Sequence, residues 1–458
     1  MAWQVGRFRG HGNRGRGRLG VTPLGLLLVA GLGLAGCMKD GAFPGVSMLA
    51  GARPSDPPPQ AAGGEIERAS ADKPSAQSTV IADLRARRSV LAGGNFAQVA
   101  DAVLAANQGA GAAELRVARL KAEAKARNWL PSIGPSVDLA SLGSLAAGML
   151  VDQLILDNGR RKAERAFAAA DVEVAAVTLA TEMNARVHDG LARYVEAERA
   201  AAQGAAVARA TARMQDYARI MQGRVEGGIA DRSEGRGVEQ RLAELRALQS
   251  ADREAELTAR AELAALAGGE LSVTGLPDGP SIQSAAEPLS VLRAVAEGRR
   301  LVAEAKIDRA AQLPGLKAGA SVSGDGITGG LRVSADKLLG LGTRANLQAL
   351  EATQGVAAQR QAEAADDAAR RIVTLERQLA QTEARAAEGA GLVAETETSL
   401  ALYTEQYKAG VRPLMELVTL TESLGRMERD QAGLAYDAAL IRLRIALERG
   451  VLVDGTRM

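Results

Sequence analysis

Cysteine is nearly missing from this 458-residue chain, with Cys37 its single copy. That excludes an internal disulfide framework and a cysteine-built zinc site. Histidine is almost as scarce, with only His11 and His188. Little is left for a histidine metal centre or a Ser-His-Asp triad, and His188, without a second ligand, reads as a surface or packing residue. Aromatic residues make up 2% of the chain while 47% is apolar. Alanine and glycine supply much of that apolar share, which suits closely packed helices better than one thick core. Neither charge sign dominates, with 56 Lys and Arg against 54 Asp and Glu. Strong attraction to nucleic acid is therefore not expected. No nucleophile–base constellation, metal cluster or usable phosphate loop stands out, so neither catalysis nor a cofactor is expected.

The first 36 residues carry Arg7, Arg9, Arg14, Arg16 and Arg18 and no acid. An apolar run from Leu24 to Leu34 follows and ends in Ala35-Gly36-Cys37. A basic head, an apolar run too short to span a bilayer and a small-residue cleavage site make a signal peptide. Leu34-Ala35-Gly36-Cys37 resembles a bacterial lipobox, which implies cleavage before Cys37 and acylation of that residue, a lipoprotein anchor. Met38 stands where an aspartate would imply inner-membrane retention, so the resemblance implies the outer membrane. Gly31, Gly33 and Gly36 match a dinucleotide-binding spacing, and residues 13–18 are Arg-Gly-rich, but no βαβ unit follows. Without residues 1–36 the formal charge moves from +2 to −3, since five arginines and no acids leave. Residues 37–80, with Pro54, Pro57, Pro58, Pro59 and Pro74 and no periodicity, read as a disordered tether.

The remainder is a duplication. Leu130-Pro131 recurs as Leu313-Pro314, Gly159 as Gly342, Gly228 as Gly410 and Glu234 as Glu416, all offset by about 183 residues. The first repeat covers 81–290 and the second 291–458. No proline occurs between Pro135 and Pro277 or between Pro314 and Pro413, and these stretches are rich in Ala, Glu, Arg, Leu and Gln. They predict long helices over 159–226 and 342–409, each on the order of 100 Å at ~1.5 Å per residue. Return helices are predicted over 232–267 and 413–448. Met183, Gly190, Ala197, Gly204 and Thr211 form one heptad stripe, and Val187, Tyr194, Ala201 and Ala208 a second. Two adjacent stripes let one helix pack on both sides, as in a wall of coiled coils.

Between proline and glycine in each repeat the period changes to two. Leu316, Ala318, Ala320 and Val322 alternate with Lys317, Gly319, Ser321 and Ser323. After Gly324-Asp325-Gly326, Ile327, Leu331 and Val333 alternate with Thr328, Arg332, Ser334 and Asp336. A β-hairpin over 314–340 follows, and a second over 131–156, where Ile133, Val137 and Leu139 alternate with Ser132, Ser136 and Asp138. Arms of about 10 residues match tilted membrane strands. Four strands cannot close a barrel, whereas three chains supply twelve, so a homotrimer in outer-membrane lipid is expected. Asp138 and Asp336 then face the lumen.

This order of elements over about residues 95–450 resembles the TolC-like outer-membrane efflux proteins. The most specific segment is Tyr407-Lys-Ala-Gly410-Val-Arg412-Pro-Leu-Met-Glu416-Leu. Its first-repeat counterpart is Gly227-Gly228-Ile229-Ala230-Asp231-Arg232-Ser233-Glu234. The resemblance implies a mainly α fold with a small β part. Long antiparallel coiled-coil helices form a periplasmic α-barrel, and the hairpins of a trimer complete a twelve-stranded barrel in the outer membrane. It implies a passive exit duct for small molecules or proteins in a tripartite efflux or type I secretion system. The implied partners are a periplasmic adaptor protein and an inner-membrane pump. Gly228 and Gly410 are implied as tip-turn glycines, and Tyr407, Arg412, Glu416, Ser233 and Glu234 as a periplasmic gate. In that gate Tyr407 contacts Glu234 within a protomer, Arg412 reaches Ser233 or Glu234 of a neighbour, and three copies of Glu416 ring the aperture. The hairpins lack aromatic residues and leave Trp129 as the nearest one, which keeps a non-conducting periplasmic coiled-coil scaffold in view as the alternative.

Overall fold

Four columns of helix stand side by side and carry one four-stranded sheet at their end. The computed structural model describes residues 78–457 other than 92, 107–108, 142–143, 276–285, 324–325, 335–339 and 341. The chain divides into units 1–70 and 71–458, and every described residue belongs to the second. The expected signal peptide, Cys37 and the tether as far as residue 77 lie outside the described residues, as do Asp336 and the side chain of Asp138.

Three short helices open the fold: α1 (Thr79–Ala86), α2 (Gly94–Ala105) and α3 (Ala110–Ala126). Ser78 caps α1 through its hydroxyl, which accepts from the Ile81 amide at 3.2 Å, and Val80 is buried. The packed fold thus takes in the last three residues of the expected tether, from Ser78. Strands β1 (Ser132–Ser141) and β2 (Ser144–Leu156) lead into the 67-residue α4 (Arg160–Glu226) and its return, α5 (Arg232–Ala267). The second repeat runs through α6 (Leu289–Ala311), β3 (Gly315–Ser323), β4 (Gly326–Ser334), the 66-residue α7 (Thr343–Lys408) and α8 (Leu414–Arg449). No described helix is long and apolar enough to cross a membrane.

Helix packing orders the columns. α4 packs on α3 and α5 on one side and on α6 and α8 on the other, and α7 packs on α6 and α8. α4 is buried along most of its length, and all nine residues of the two sequence stripes are buried or half-buried. Small residues set the spacing. A Cβ on Gly425 would overlap Ala210, and one on Gly190 would fall within 2.6 Å of Val103. Three apolar clusters follow the wall: one around Tyr194, Leu191 and Leu443, one around Val177, Leu115 and Leu292, and one towards the turns around Met214, Leu242 and Val418.

α4 and α7 are continuous, but the other two columns are each made of two helices laid end to end. α8 ends at Gly450, whose φ of 62° is a left-handed cap, and its neighbour there is Leu289, the first residue of α6. Arg87 seals this joint. Its side chain is 2% exposed and donates to the carbonyls of Arg449 (2.8 Å), Gly450 (3.3 Å) and Glu287 (2.5 Å), while Asp83 holds its other edge at 2.9 Å. On the other side α5 ends at Gly268, φ 74°, against Ala106 just ahead of α3. There Arg186 donates to the carbonyls of Leu266 (3.3 Å) and Val103 (3.4 Å). Both arginines supply positive charge and donors where a helix C-terminus leaves carbonyls unpaired.

Candidate functional site

Strand register builds the first half of the site. The sheet order is β1-β2-β3-β4, antiparallel throughout, so β1 and β4 are free edges. Ile133 pairs with Val151, Met149 with Val322, Val322 with Ile327, Ala318 with Leu331 and Leu316 with Val333. Because side chains alternate along a strand, these residues share one face. That face is bare: Ile327, Leu331 and Val333 are each at least 70% exposed. The opposite face carries Ser132, Asp152, Lys317, Ser321, Thr328 and Arg332. Across it the Ser321 and Thr328 hydroxyls meet at 2.7 Å. The central β2 departs from the pattern, with Leu150 and Leu154 on the polar face.

At the junction between sheet and helices, Asp157 accepts from the amides of Gly159 (3.0 Å) and Arg161 (2.8 Å) and so starts α4. Gly159 has φ 84°, in the left-handed region, whereas its counterpart Gly342 has φ −85°. Here the two repeats differ: Thr343, at the start of α7, accepts from the Gly340 amide through its hydroxyl instead. The Trp129 carbonyl accepts from Gln153 (3.1 Å) and Arg161 (3.2 Å), which fixes the backbone while the indole is 60% exposed. Nearby, Glu164 accepts from Lys125 at 3.0 Å and Asn128 at 3.3 Å. Burial pushes its pKa up, but those two bonds and the charges of Lys125 and Arg160 outweigh it and hold the carboxyl below its ordinary 4.5.

The tip forms the other half. Both hairpin turns have one geometry. Gly228, φ 70°, donates to the Val225 carbonyl, and Ile229 to that of Arg224. Gly410, φ 75°, donates to the Tyr407 carbonyl, and Val411 to that of Gln406. This paired closure places the next residue over the end of the helix, where an apolar partner normally meets it. Arg224 and Gln406 hold those partner positions, and Ile229 and Val411 are 70% and 73% exposed. Arg412 lies inside its own turn. It donates to Gln406, pairs with Glu416 and stacks 3.7 Å from the Tyr403 ring centroid.

The sequence-predicted gate residues therefore separate into two groups. Arg412 and Glu416 come together. Tyr407 packs with the apolar cluster around Met214, and no hydrogen bond joins it to Glu234 among the described residues. Its position explains this: Leu400, Tyr403 and Tyr407 follow the heptad seam that α7 buries, so the ring is drawn into the packing. Ser233 and Glu234 stand exposed in the first turn of α5. Tyr403 and Gln406, not singled out in the sequence, complete the surroundings of Arg412. Tyr403 lies four residues before Tyr407 and so on the same helical face, which is the signal that could have found it.

No protein-family model matches the sequence, and no curated protein matches it. Solved structures do match. A membrane protein from Pseudomonas aeruginosa superposes with a TM-score of 0.67 at 15% identity, over 83% of this chain and 95% of that one. The outer-membrane protein VceC of Vibrio cholerae gives 0.67 at 14% identity, over 78% and 96%. The open state of the MtrE outer-membrane channel of Neisseria gonorrhoeae gives 0.61 at 14% identity, over 78% and 89%. The chain thus shares the TolC-like fold of outer-membrane channels.

Proposed function

We propose that the chain is one third of an outer-membrane channel. Three copies close their sheets into a twelve-stranded barrel in the outer membrane, and their helical walls continue it as a duct through the periplasm. The observation that carries this reading is the sheet. An exposed apolar face, a polar opposite face and two free edges are costly in water, but together they suit a barrel segment facing lipid outside and water inside. Trp129, beside the start of β1, fits the membrane–water boundary. A periplasmic scaffold would have no use for such a face.

In this reading the duct is passive and serves a tripartite efflux or type I secretion system, with cargo of small molecules or proteins. Acyl chains on Cys37 anchor the N-terminus in outer-membrane lipid. At the tip, Arg412 and Glu416 set charge and width where three copies converge, with Tyr407, Ser233 and Glu234 around them. Ile229 and Val411 give each protomer two apolar points for a periplasmic adaptor, which joins the duct to an inner-membrane pump. The test is single-channel recording of the detergent-purified protein in planar bilayers. A small cation-selective conductance is expected. Glu416→Ala reduces the selectivity, because a carboxylate ring is removed. Arg412→Ser widens the conductance. Well-folded trimers that never conduct, in wild type and variants alike, overturn the reading.

A further inference from the structure

α5 and α7 are the edge helices of the wall, and both are half used. α7 buries Ala368, Thr382 and Leu400 in its 66 residues, against 25 buried residues in α4. From Leu375 to Tyr407 its covered positions step by four and three, the trace of a single coiled-coil seam. α5 shows the same single seam from Val238 to Leu263. The free side of α7 carries its own heptad row of exposed small residues: Ala384, Ala387, Gly391, Ala394, Thr398 and Ala401. On the free side of α5 a matching row runs through Ala243, Ala247, Ser250, Leu257 and Ala261, broken by Glu254.

The charges beside these rows match in height. Both turns lie at one end of the wall, where Val238 of α5, Leu414 of α8 and Tyr407 of α7 share a cluster. Arg246 and Arg253 lie 14 and 21 residues beyond Arg232, the first residue of α5. Glu395 and Glu388 lie 13 and 20 residues before Lys408, the last residue of α7. Glu254 and Arg385 stand at 22 and 23 on the same scale. Among the described residues none of these six has an ion-pair partner. The intervening columns keep α5 and α7 of one chain apart, so the complement lies on another copy.

We propose that α7 of one protomer seats on α5 of the next, with Arg246 against Glu395, Arg253 against Glu388 and Glu254 against Arg385. Small residues at all these heptad positions except Glu254 and Leu257 let the two backbones approach, and the charges fix the register. The contact is heterologous, the kind that closes a ring when the rotation permits. It rests on the trimeric channel reading and names the chemistry of its seam.

Two sets of variants test it. In the first, Glu388→Arg and Arg253→Glu are made singly and together, and the detergent-solubilised mass is measured by light scattering. Each single change is expected to raise the monomer fraction about tenfold, and the double change to restore the trimer. In the second, Ala247→Cys and Ala394→Cys are placed in one chain, at levels 15 and 14. Oxidation should yield a covalent trimer that a reductant dissolves. A wild type that is monomeric but folded by circular dichroism overturns the channel reading and the seam together. A trimeric, conducting wild type whose swaps are silent and whose cysteines do not link overturns the seam alone.

Discussion

At the residue scale the junction near Trp129 offers a pH test. The Glu164 carboxylate ties α4 to Lys125 and Asn128 at the end of α3. Its folded pKa lies below the ordinary 4.5. Such a group contributes stability that is present above its unfolded pKa and is lost as pH falls through the folded one. Glu164→Gln should therefore lower stability at pH 7 by about 1 kcal/mol or less, the range of a partly exposed pair. The gap between wild type and variant should persist down to about 4.5 and close below it, measured by denaturant unfolding across pH. A gap that widens on acidification contradicts the assignment. Tyr194 shows the opposite direction. Burial first, then the nearby Glu198 charge, raises its phenol above 10.0 against the bond from Asn95 and the charge of Arg260. It stays neutral and donates to the Gly275 carbonyl, pinning the segment after α5.

Elements were the most legible scale. Prolines confined to the ends of long Ala-, Glu- and Leu-rich stretches marked α4 and α7, because proline is excluded from helix interiors. Period-two alternation around Gly324-Asp325-Gly326 marked β3 and β4. The strand β2 was harder to read, because apolar residues occupy both its faces. The joints were not legible at all. Arg87 is 362 residues from Arg449, whose carbonyl it caps, and no local pattern announces a bond of that span. Nor were the neighbours of Tyr407 legible, because the cluster around Met214 and Val418 that its half-buried ring packs against comes from helices far apart in the sequence. The Arg87 joint makes its own prediction. Arg87→Ala leaves the carbonyls of Arg449, Gly450 and Glu287 without their donor and should cost about 2–4 kcal/mol. Arg87→Lys, which keeps the charge but offers fewer directed donors, should recover part of it in thermal unfolding. Equal stability of all three proteins would show that the joint does not depend on Arg87.

For the whole molecule, the two faces of the sheet should respond differently to one substitution. Leu331 lies on the apolar face and Thr328 on the polar one. If the apolar face meets hydrocarbon, Leu331→Arg costs about 2–4 kcal/mol near the bilayer midplane, while Thr328→Arg stays in water. Membrane fractionation after expression should show the first variant depleted from the outer membrane and the second retained. Equal depletion would remove the distinction between the faces on which the barrel rests.

The joints also decide how force travels through the wall. Two columns are interrupted at one level, where Gly268 and Gly450 end their helices, while α4 and α7 run through unbroken. A push at the tip must bend two continuous rods, but in the other two it need only work against capped ends. Compliance therefore concentrates at that level, because element ends absorb rotation more readily than helix interiors. The half below it can pivot as a lever, with Arg87 and Arg186 as its pins, while the sheet above stays still.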